Sequence, residues 1–571
     1  MNIRNRWFLL FAGLLSVVLT FGAACGDDDD DGDGGGATPA ATSATGGQAP
    51  ADQQKITIQS VEPELYDPHR SNFEQDIGVE RMLFRGLYNL VDDGEGGVEV
   101  VPMMAASDPV IDGNTYTITL KSGLKWSDGE PLTAADFVYG WRRGCDPTVA
   151  ATYGYLLGEG FLDVAGCNES LTNEDAAQQQ ALLAAVAVSA TDDTTFVVEL
   201  NQPNGRFTTI AALWVTFPAR QDVIEEFGQA WTDPGNIVTN GPYTLSQVIP
   251  GDRAVLVPNE NWTAGQTPAI QEITIRFYDD FSAAFRAFQT DELDMTRIQE
   301  TDVVTVADDP QLILLQSSRI DAIHMNLADP TLAEPNVRLA LARAIDRETL
   351  NEVIYDGVST PATYWIVRGL TGFQGNEPFD PIIGFDEAAA QQALSDAGYP
   401  GGQGFPTLSI VMRDDPVQRN LFDFLQQGWQ DVLGITVEAE FVDGPTRSSR
   451  FNTEDFQLFR GGWQTDYPDI ENPLLGLFNT GGGNNHYNCS DTDIDAAFDE
   501  AIAATTEEAR IAAYQEVETL VVTKLCGTTP ITQLAQPFMV RSTIGGVTAN
   551  GVIDAGMAGN ACVECWFVKA E

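Results

Sequence analysis

The stretch Lys121-Ser-Gly-Leu-Lys-Trp-Ser-Asp-Gly-Glu-Pro-Leu-Thr-Ala-Ala-Asp-Phe-Val138 carries the clearest local pattern of the chain. Gly123 and Gly129 predict turns, and Gly129 completes an Asp-Gly turn dipeptide. Thr133 is the expected N-cap of a helix with one apolar face. That face is formed by Phe137, Val138 and Trp141. The stretch therefore predicts turns that lead into an amphipathic helix.

Strand-like segments stand on both sides of this stretch. Thr115–Leu120 and Thr195–Leu200 are rich in β-branched and aromatic residues, as strands are. Helices are predicted over Pro335–Arg347 and Thr492–Ala503, among others, and no internal repeat is visible. Mixed elements over a body longer than one hydrophobic core supports predict an α/β protein with two or three lobes.

The first 24 residues have the layout of an export signal, with two arginines, an apolar run over Trp7–Phe21 and small residues before Cys25. The run is too short to span a bilayer comfortably. Cleavage before Cys25 would free its amino group and leave its thiol to take a lipid, as in bacterial lipoproteins. Gly22 stands where the lipoprotein pattern usually has Leu. An ordinary secretory signal with a coincidental cysteine therefore stays an alternative.

The segment 25–54 is predicted to be a disordered, lipid-anchored acidic linker. It contains Asp27–Asp31 and a mixture of Gly, Ala, Thr, Pro and Ser with almost no apolar residue to bury. Such composition does not support a packed core. The folded body is expected to begin near Lys55, and the protein to be extracytoplasmic and held at the cell membrane by Cys25.

The overall charge excludes some partners. The formal net charge is −53, and it becomes −55 without residues 1–24, which contain two arginines and no acid. Such a charge raises the electrostatic cost of approaching nucleic acid or anionic lipid head groups. We therefore expect no nucleic-acid partner.

Six cysteines remain after Cys25 is set aside. An even number in an exported chain indicates disulfides, because export leads to an oxidising compartment. Fifteen pairings are possible. We favour Cys145–Cys167, which closes a loop within one segment, together with Cys489–Cys526 and Cys562–Cys565. A redox dithiol in Cys562–Cys565, or zinc held by the four C-terminal cysteines, stays an alternative.

Five blocks are specific beyond their secondary structure: Leu83–Leu90, Lys121–Val138, Glu225–Leu245, Val337–Arg347 and Arg460–Asp469. Together they resemble the peptide-binding branch of the family 5 extracellular solute-binding proteins, which supply bacterial ABC importers. The resemblance extends from residue 55 to about residue 545. It implies that the protein captures short peptides and hands them to the permease subunits of such an importer, as a monomer and without a cofactor.

The resemblance also implies an architecture. This is the two-lobed periplasmic-binding-protein (Venus-flytrap) fold with an additional inserted domain, which closes over its ligand about a hinge. By the positions of the blocks, lobe I should take residues 55–90, 205–319 and 531–571. The inserted domain II should take 91–204, and lobe III should take 320–530.

The predicted ligand site centres on Arg460–Asp466. A short strand with Gly461 and Gly462 leaves backbone groups accessible, and an extended ligand pairs with such groups as an added strand does. By resemblance, Asp466 would hold a peptide's α-amino group through a charge-assisted bond. By the same resemblance, Arg460 would bind the peptide's terminal carboxylate, and Trp463 would form an apolar wall. Main-chain groups near Gly462 and Gln464 would pair with the ligand. Asn240 is predicted to lie in a hinge-region turn.

Structural interpretations of the same residues stay open. Asp466 could cap a turn before Pro468, and Arg460 could be a surface salt-bridge partner. Three tryptophans are expected in the core: Trp214, Trp231 and Trp262. The chain also departs from its relatives, since Ile320 and Gln464 stand where they carry a disulfide. The loop 71–75, which in relatives contributes to the ligand groove, shares little with them.

Enzyme interpretations have little support. The three histidines, His69, His324 and His486, are far apart in the sequence and fit no metal or nucleophile motif. No GxSxG, HExxH or phosphate-binding loop is present. The serious rival is a protein of the same fold for another solute, such as nickel, an oligosaccharide or an opine. A peptide-pheromone receptor and a secreted hydrolase are weaker alternatives.

Overall fold

The computed structural model describes residues 47–94, 96–158, 160–504, 506–554 and 556–570. The export signal, Cys25 and most of the predicted linker lie outside these residues. The segment from Gly47 is part of one compact unit. The Ala49 N–H donates to the Val568 carbonyl at 2.9 Å, and Gln54 Nε2 donates to the carbonyls of Ala49 and Val568. The folded body therefore begins before the predicted Lys55, because Gln54 ties this segment to the last strand.

The elements of the described chain run in the following order. The strands are β1 Lys55–Ser60, β2 Tyr88–Asp92, β3 Val98–Pro102, β4 Val110–Asp112, β5 Thr115–Thr119, β6 Val188–Asp192, β7 Thr195–Glu199, β8 Tyr243–Ile249, β9 Arg253–Pro258, β10 Glu272–Phe277, β11 Met295–Arg297, β12 Leu312–Met325, β13 Thr360–Pro361, β14 Leu408–Arg413, β15 Val437–Val442, β16 Leu458–Gln464, β17 Thr528–Val540, β18 Ile544–Gly545 and β19 Phe567–Val568. The helices are α1 Glu74–Leu83, α2 Ala134–Gly144, α3 Cys167–Leu171, α4 Ala176–Ala185, α5 Phe207–Ile210, α6 Gln221–Phe227, α7 Phe281–Gln289, α8 Glu300–Val306, α9 Pro335–Arg343, α10 Arg347–Ile354, α11 Asp380–Ile383, α12 Glu387–Asp396, α13 Pro416–Leu433, α14 Gly444–Asn452, α15 Thr492–Ala503 and α16 Glu507–Lys524.

One mixed sheet runs through both lobes. Its order is β15-β14-β16-β12-β17-β11-β1-β10-β9-β8, with β13 beside β17. The first lobe is built around β1 and β8–β10, whose buried side chains share one core. The second lobe is built around β14, β16 and α13, which share another core. This is the α/β, two-lobed architecture that the sequence predicted.

The long strands β12 and β17 connect the two lobes. Their antiparallel pairing changes register between Gln316 and Ile320. A bulge bends a strand and increases its twist, so it marks a natural place for one lobe to move against the other. The turn at Asn240 does not lie at this bulge, and its role in a hinge region stays a prediction.

The segment between β4 and β7 forms its own antiparallel sheet, in the order β4-β5-β7-β6. Trp141 of α2 packs against Phe196 of β7 and Phe207 of α5, with ring centroids 5.4 and 6.0 Å apart. These side chains are continuous with the core of the first lobe. The inserted segment is therefore expected to move with the first lobe. The residue boundaries given above for the domains stay predictions.

Local features confirm several sequence predictions. Thr133 and Asp136 form a capping box at the start of α2, with the Thr133 N–H 2.7 Å from Asp136 Oδ2. The predicted helix Pro335–Arg347 is instead two helices, because Asp346 caps a new helix by accepting from the Thr349 N–H.

The three predicted disulfides are present: Cys145–Cys167, Cys489–Cys526 and Cys562–Cys565. All six cysteines of the folded body are therefore used in covalent cross-links. The zinc interpretation is wrong for this oxidised form, because its four cysteines are in disulfides, whereas a redox role of the Cys562–Cys565 pair stays an alternative.

Candidate ligand-binding site

Strand β16 brings the predicted site residues to the junction of the two lobes. It pairs along its length with β12 over Arg319–Met325. On its other side, β14 pairs only with Leu458 and Phe459. Within the described residues, the edge Arg460–Gln464 therefore has a strand neighbour on one side only. An extended ligand pairs with such an edge by adding a strand.

The two glycines of β16 are required by packing against β12. A Cβ at Gly461 would fall 2.2 Å from the His324 ring. Gly462 has φ of 152°, which favours glycine, and a Cβ there would fall 2.2 Å from the Ile320 carbonyl oxygen. The glycines thus allow close approach of two strands. A ligand contact at Gly462 stays a prediction.

Asp466 lies just beyond β16 and lines a cavity of about 380 Å³. Its carboxylate accepts hydrogen bonds from the hydroxyls of Tyr153 and Tyr155, both at 3.3 Å. Burial raises the pKa of Asp466 to about 6, against hydrogen bonds from Tyr153, Asn472 and Tyr155 that lower it. These partners are neutral. The geometry suits a carboxylate that receives a cationic group from a ligand.

Asn472 holds Asp466 and Trp463 in place. Its Oδ1 accepts from the Asp466 backbone N–H at 3.0 Å and from Trp463 Nε1 at 2.9 Å. Trp463 is half-buried and packs at the margin of the second core. It is not among the residues that line the cavity, so an apolar wall at Trp463 stays a prediction.

Arg460 is placed differently from the prediction. Its guanidinium forms a buried ion pair with Asp321, whose side chain is fully buried on β12. Arg460 does not line the cavity that contains Asp466. The structure therefore agrees with the alternative interpretation of Arg460 as a salt-bridge partner. The ion pair is buried, however, and not at the surface as that interpretation had it. This placement does not support a role of Arg460 in binding a terminal carboxylate at this cavity, and that role stays a prediction.

Asn240 is also not at the cavity. It is fully buried, and its side chain accepts from the Arg85 N–H at 3.2 Å and donates to the Arg85 carbonyl at 2.8 Å. The adjacent Gly241 N–H donates to the Leu83 carbonyl at 2.8 Å. The turn therefore fastens β8 to the end of α1 within the first lobe.

The remaining cavity wall comes from distant parts of the chain. Trp214 is buried in the first core, as expected, and also lines the cavity. Its Nε1 donates to the Ser71 carbonyl at 3.3 Å, and its ring packs on the Tyr153 ring. Gln464 lines the cavity and its Nε2 donates to Ser318 Oγ at 2.6 Å, and its contact with a ligand stays a prediction. Apolar side chains complete the wall: Ile77, Leu90, Leu213, Val552 and Ile553.

Charged side chains of both signs reach this cavity. Arg81 and Arg319 are the guanidinium groups, and Glu74 and Asp554 are carboxylates besides Asp466. Burial raises the pKa of Asp554 to about 7, although hydrogen bonds from the backbone N–H groups of Gly559 and Asn550 lower it. Sequence reasoning missed these residues, as it missed Tyr153 and Tyr155, because no local motif connects them to β16. The only signal was that loop 71–75 contributes to the groove in relatives, and Asn72 and Glu74 do line the cavity.

A larger cavity of about 850 Å³ lies between α2, α4 and α6. Two of its three arginines serve the fold: Arg143 pairs with Asp67 at 2.6 Å, and Arg142 donates to the carbonyls of Ala184 and Val188. None of the predicted site residues lines it. We therefore take the smaller cavity as the candidate ligand site.

The described residues contain no group of three or more His, Cys, Asp or Glu side chains arranged to hold a metal ion. Burial lowers the pKa of both His69 and His324 to about 3, and both are therefore neutral. In the same part of the chain, no helix is long and apolar enough to cross a membrane.

Similar proteins share this fold and much of its length. The periplasmic murein peptide-binding protein MppA of Escherichia coli is 27% identical over 527 residues, covering 90% of this chain and 94% of its own. The probable deoxycholate-binding periplasmic protein YgiS of Escherichia coli is 27% identical over 469 residues, covering 81% and 84%. The unliganded open form of the MppA murein tripeptide binding protein superposes with a TM-score of 0.76 and 24% identity, covering 91% of this chain and 98% of that chain.

The sequence profile described as bacterial extracellular solute-binding proteins, family 5 Middle, matches residues 99–485. This range includes both the inserted sheet and the strand β16 that leads to Asp466. The chain therefore belongs to the family 5 bacterial extracellular solute-binding proteins.

Proposed function

We propose that the protein captures short peptides in the cavity beside Asp466 and delivers them to the permease of an ABC importer. It acts as a monomeric binding protein and catalyses no reaction. One observation carries the proposal: the Asp466 carboxylate is held by neutral hydroxyl and amide groups at the wall of a cavity between two lobes. A ligand ammonium group supplies the missing positive charge.

The surroundings of Asp466 support a peptide over the other solutes. Gln464, at the end of the unpaired edge of β16, lines the same cavity, where main-chain groups could pair with an extended ligand. A carboxylate at this position disfavours an anionic steroid such as deoxycholate. None of His69, His324 and His486 lines this cavity, so it offers nickel no imidazole ligand. An oligosaccharide has no cation for Asp466.

Calorimetry with trialanine and N-acetyl-trialanine tests the proposal. Wild-type protein is expected to bind the free amine much more tightly, since removing one side of a buried charge pair costs about 2–5 kcal/mol. That cost corresponds to well over tenfold in affinity. Asp466→Asn is expected to weaken binding of trialanine and to remove most of the preference. Asp414→Asn, at an exposed carboxylate paired with Arg419, is the matched control.

Equal binding of both peptides by the wild type would contradict the role of Asp466. Binding of deoxycholate, nickel, an oligosaccharide or an opine, with no peptide bound, would replace the proposed function. Peptide binding without an importer partner would favour a pheromone receptor.

We further propose that Cys25 carries the lipid anchor. The signal-like residues before it and the acidic linker after it support an extracytoplasmic protein held at the membrane. Cys25→Ala is expected to move the protein from the membrane fraction to the soluble fraction. Unchanged partitioning would contradict the anchor.

A further inference from the structure

The larger cavity, of about 850 Å³, lies where the inserted segment meets the first lobe. The inserted segment contributes residues of α2 and α4, and the first lobe contributes residues of α6 and Arg70, which follows β1. The two parts share one hydrophobic core. The cavity is therefore preformed and does not depend on closure of the two main lobes. Its volume suits a small organic molecule.

Arg70 brings an unpaired guanidinium group to this cavity. Its backbone N–H donates to the Asp67 carbonyl at 2.9 Å, so a turn after β1 fixes its position. Arg70 is half-buried, and within the described residues its side chain makes no hydrogen bond or ion pair. The donors of this guanidinium group are therefore available to a ligand.

Arg142, on α2, brings a second guanidinium group that is only partly used. Its Nη2 donates to the carbonyls of Ala184 and Val188 at 3.3 and 3.2 Å. In the part of the chain that the structure describes, its Nη1 makes no hydrogen bond and its buried Nε has no partner. The chain has 83 acidic and 30 basic residues, yet neither Arg70 nor Arg142 forms an ion pair with any described carboxylate. A negatively charged ligand group would pair with both.

Three carboxylates at the cavity limit the charge of such a ligand. Asp67 is engaged by Arg143, whose two Nη atoms donate to it at 2.6 Å. Asp146 is half-buried and Glu225 is exposed, and neither forms an ion pair among the described residues. Because they repel a second negative charge on the ligand, the cavity favours a singly charged carboxylate over a phosphate group, which carries nearly two charges at pH 7.

Apolar and aromatic side chains form much of the remaining wall. Trp231 is buried, and the Arg143 guanidinium lies 5.9 Å from its ring centroid. Its Nε1 donates to Asp67 at 3.3 Å, which orients the ring. The other side chains of this kind are Tyr139, Val149, Leu183 and Ile224. Such a wall favours a ligand with a hydrocarbon or aromatic body over a small inorganic anion.

We propose that this cavity is a second ligand site, which binds a small organic carboxylate with an apolar body through Arg70 and Arg142. The two guanidinium groups bind the carboxylate, and the apolar side chains cover the body. No residue lines both this cavity and the one at Asp466. The second site is therefore independent of the peptide capture proposed above.

Calorimetry with octanoate, octanol and octyl phosphate tests the proposal, because the three molecules share one apolar chain. The wild type is expected to bind octanoate at least about tenfold more tightly than octanol, since hydrogen bonds between charged groups are stronger than neutral ones. Octyl phosphate is expected to bind more weakly than octanoate. Arg70→Gln and Arg142→Gln are each expected to weaken octanoate binding about tenfold and to leave octanol binding unchanged. Arg413→Gln, at an arginine with a 68% exposed side chain, is expected to behave as the wild type.

The outcomes decide both the place and the chemistry of the site. Arg70→Gln remains informative even if Arg142→Gln unfolds, because the Arg70 side chain has no hydrogen bond or ion pair to lose among the described residues. Unchanged octanoate binding in Arg70→Gln, or equal binding of octanoate and octanol by the wild type, would overturn the site. Tighter binding of octyl phosphate would overturn the carboxylate as its ligand.

A further variant separates this site from the proposed peptide site. Asp466→Asn is expected to leave octanoate affinity unchanged, because Asp466 does not line the larger cavity. Stronger octanoate binding in this variant would place octanoate beside Asp466, where a negative charge had been removed, and would overturn the second site. Failure of trialanine to bind would count against the proposed function alone, since octanoate binding does not depend on it.

Discussion

At the scale of single residues, the environment of Asp466 explains its suitability for a cation. Burial removes water from the carboxylate, and the hydroxyl groups of Tyr153 and Tyr155 replace only part of that solvation. Burial and the Asp466 charge also raise the pKa of both tyrosines, so they remain neutral donors. A charged ligand group gains more from such a site than it would from an exposed carboxylate, because the local dielectric is low.

The pKa of Asp466 predicts how peptide affinity depends on pH. Since the pKa is raised to about 6, the carboxyl is ionised above that pH and protonated below it. Affinity for trialanine is therefore expected to fall as the pH drops from 7.5 to 5. Calorimetry across this range measures the effect. Asp466→Asn should lose the part of the pH dependence that comes from Asp466, while any part that comes from Asp554 remains. A pH profile identical to that of the wild type would contradict the role of Asp466 in this dependence.

At the scale of elements, the C-terminal segment supports the cavity wall. A 3-10 helix at Asn560–Cys565 contains the Cys562–Cys565 disulfide and places Glu564 against Arg85, at 2.8 Å. The Ala561 carbonyl accepts from Asn89 Nδ2 at 2.9 Å. Both contacts reach the chain just after α1, whose Ile77 and Arg81 line the cavity.

The three disulfides are expected to differ in their accessibility to reductants. Cys562 and Cys565 are partly exposed, whereas the other four cysteines are at most 4% exposed. Because exchange requires access to a sulfur atom, limited reduction of the native protein should open Cys562–Cys565 first. Differential alkylation followed by mass spectrometry measures the order. Labelling of Cys145 or Cys489 before Cys562 would contradict it.

At the scale of the whole molecule, the two lobes are joined by contacts besides the strands β12 and β17. Tyr467, which follows β16, is buried in the core of the first lobe. Arg206 forms an ion pair with Glu471, which also accepts hydrogen bonds from Tyr467 at 2.6 Å and Tyr514 at 2.9 Å. Together with the hydrogen bonds from Tyr153 and Tyr155 to Asp466, these contacts join the second lobe to the first lobe and the inserted segment.

Loss of the Arg206–Glu471 pair is expected to favour an open arrangement. Arg206→Gln leaves the Glu471 carboxylate without its cation, and breaking a buried ion pair in this way costs about 3–5 kcal/mol. Small-angle scattering of the variant should give a larger radius of gyration than the wild type, and saturating trialanine should reduce the difference. Arg253→Gln, at an exposed arginine beside Asp252, is the control. Identical scattering curves for Arg206→Gln and the wild type would contradict the prediction that this ion pair disfavours an open arrangement.

Local sequence patterns predicted many elements and the disulfide partners. The helix α15 begins and ends where its pattern predicted, and Thr133 caps α2. The helix features depend on neighbours within a few residues, whereas the disulfides join cysteines 3, 22 and 37 positions apart. The sequence pattern did not predict the break between α9 and α10. Asp346 lies inside an otherwise helical pattern, and only the change of chain direction in the structure shows that it caps a new helix.

The sequence by itself determined the family, the α/β class and the position of Asp466, because these follow from blocks of adjacent residues. Only the tertiary structure decided that Arg460 lies behind the cavity and Arg319 at its wall. Both arginines stand on one face of neighbouring strands, and the register that pairs Ile323 with Arg460 and Arg319 with Gln464 sets their depth. Tyr153 reaches Asp466 from more than 300 positions away. Such contacts depend on the packing of whole lobes, which no local pattern of side chains specifies.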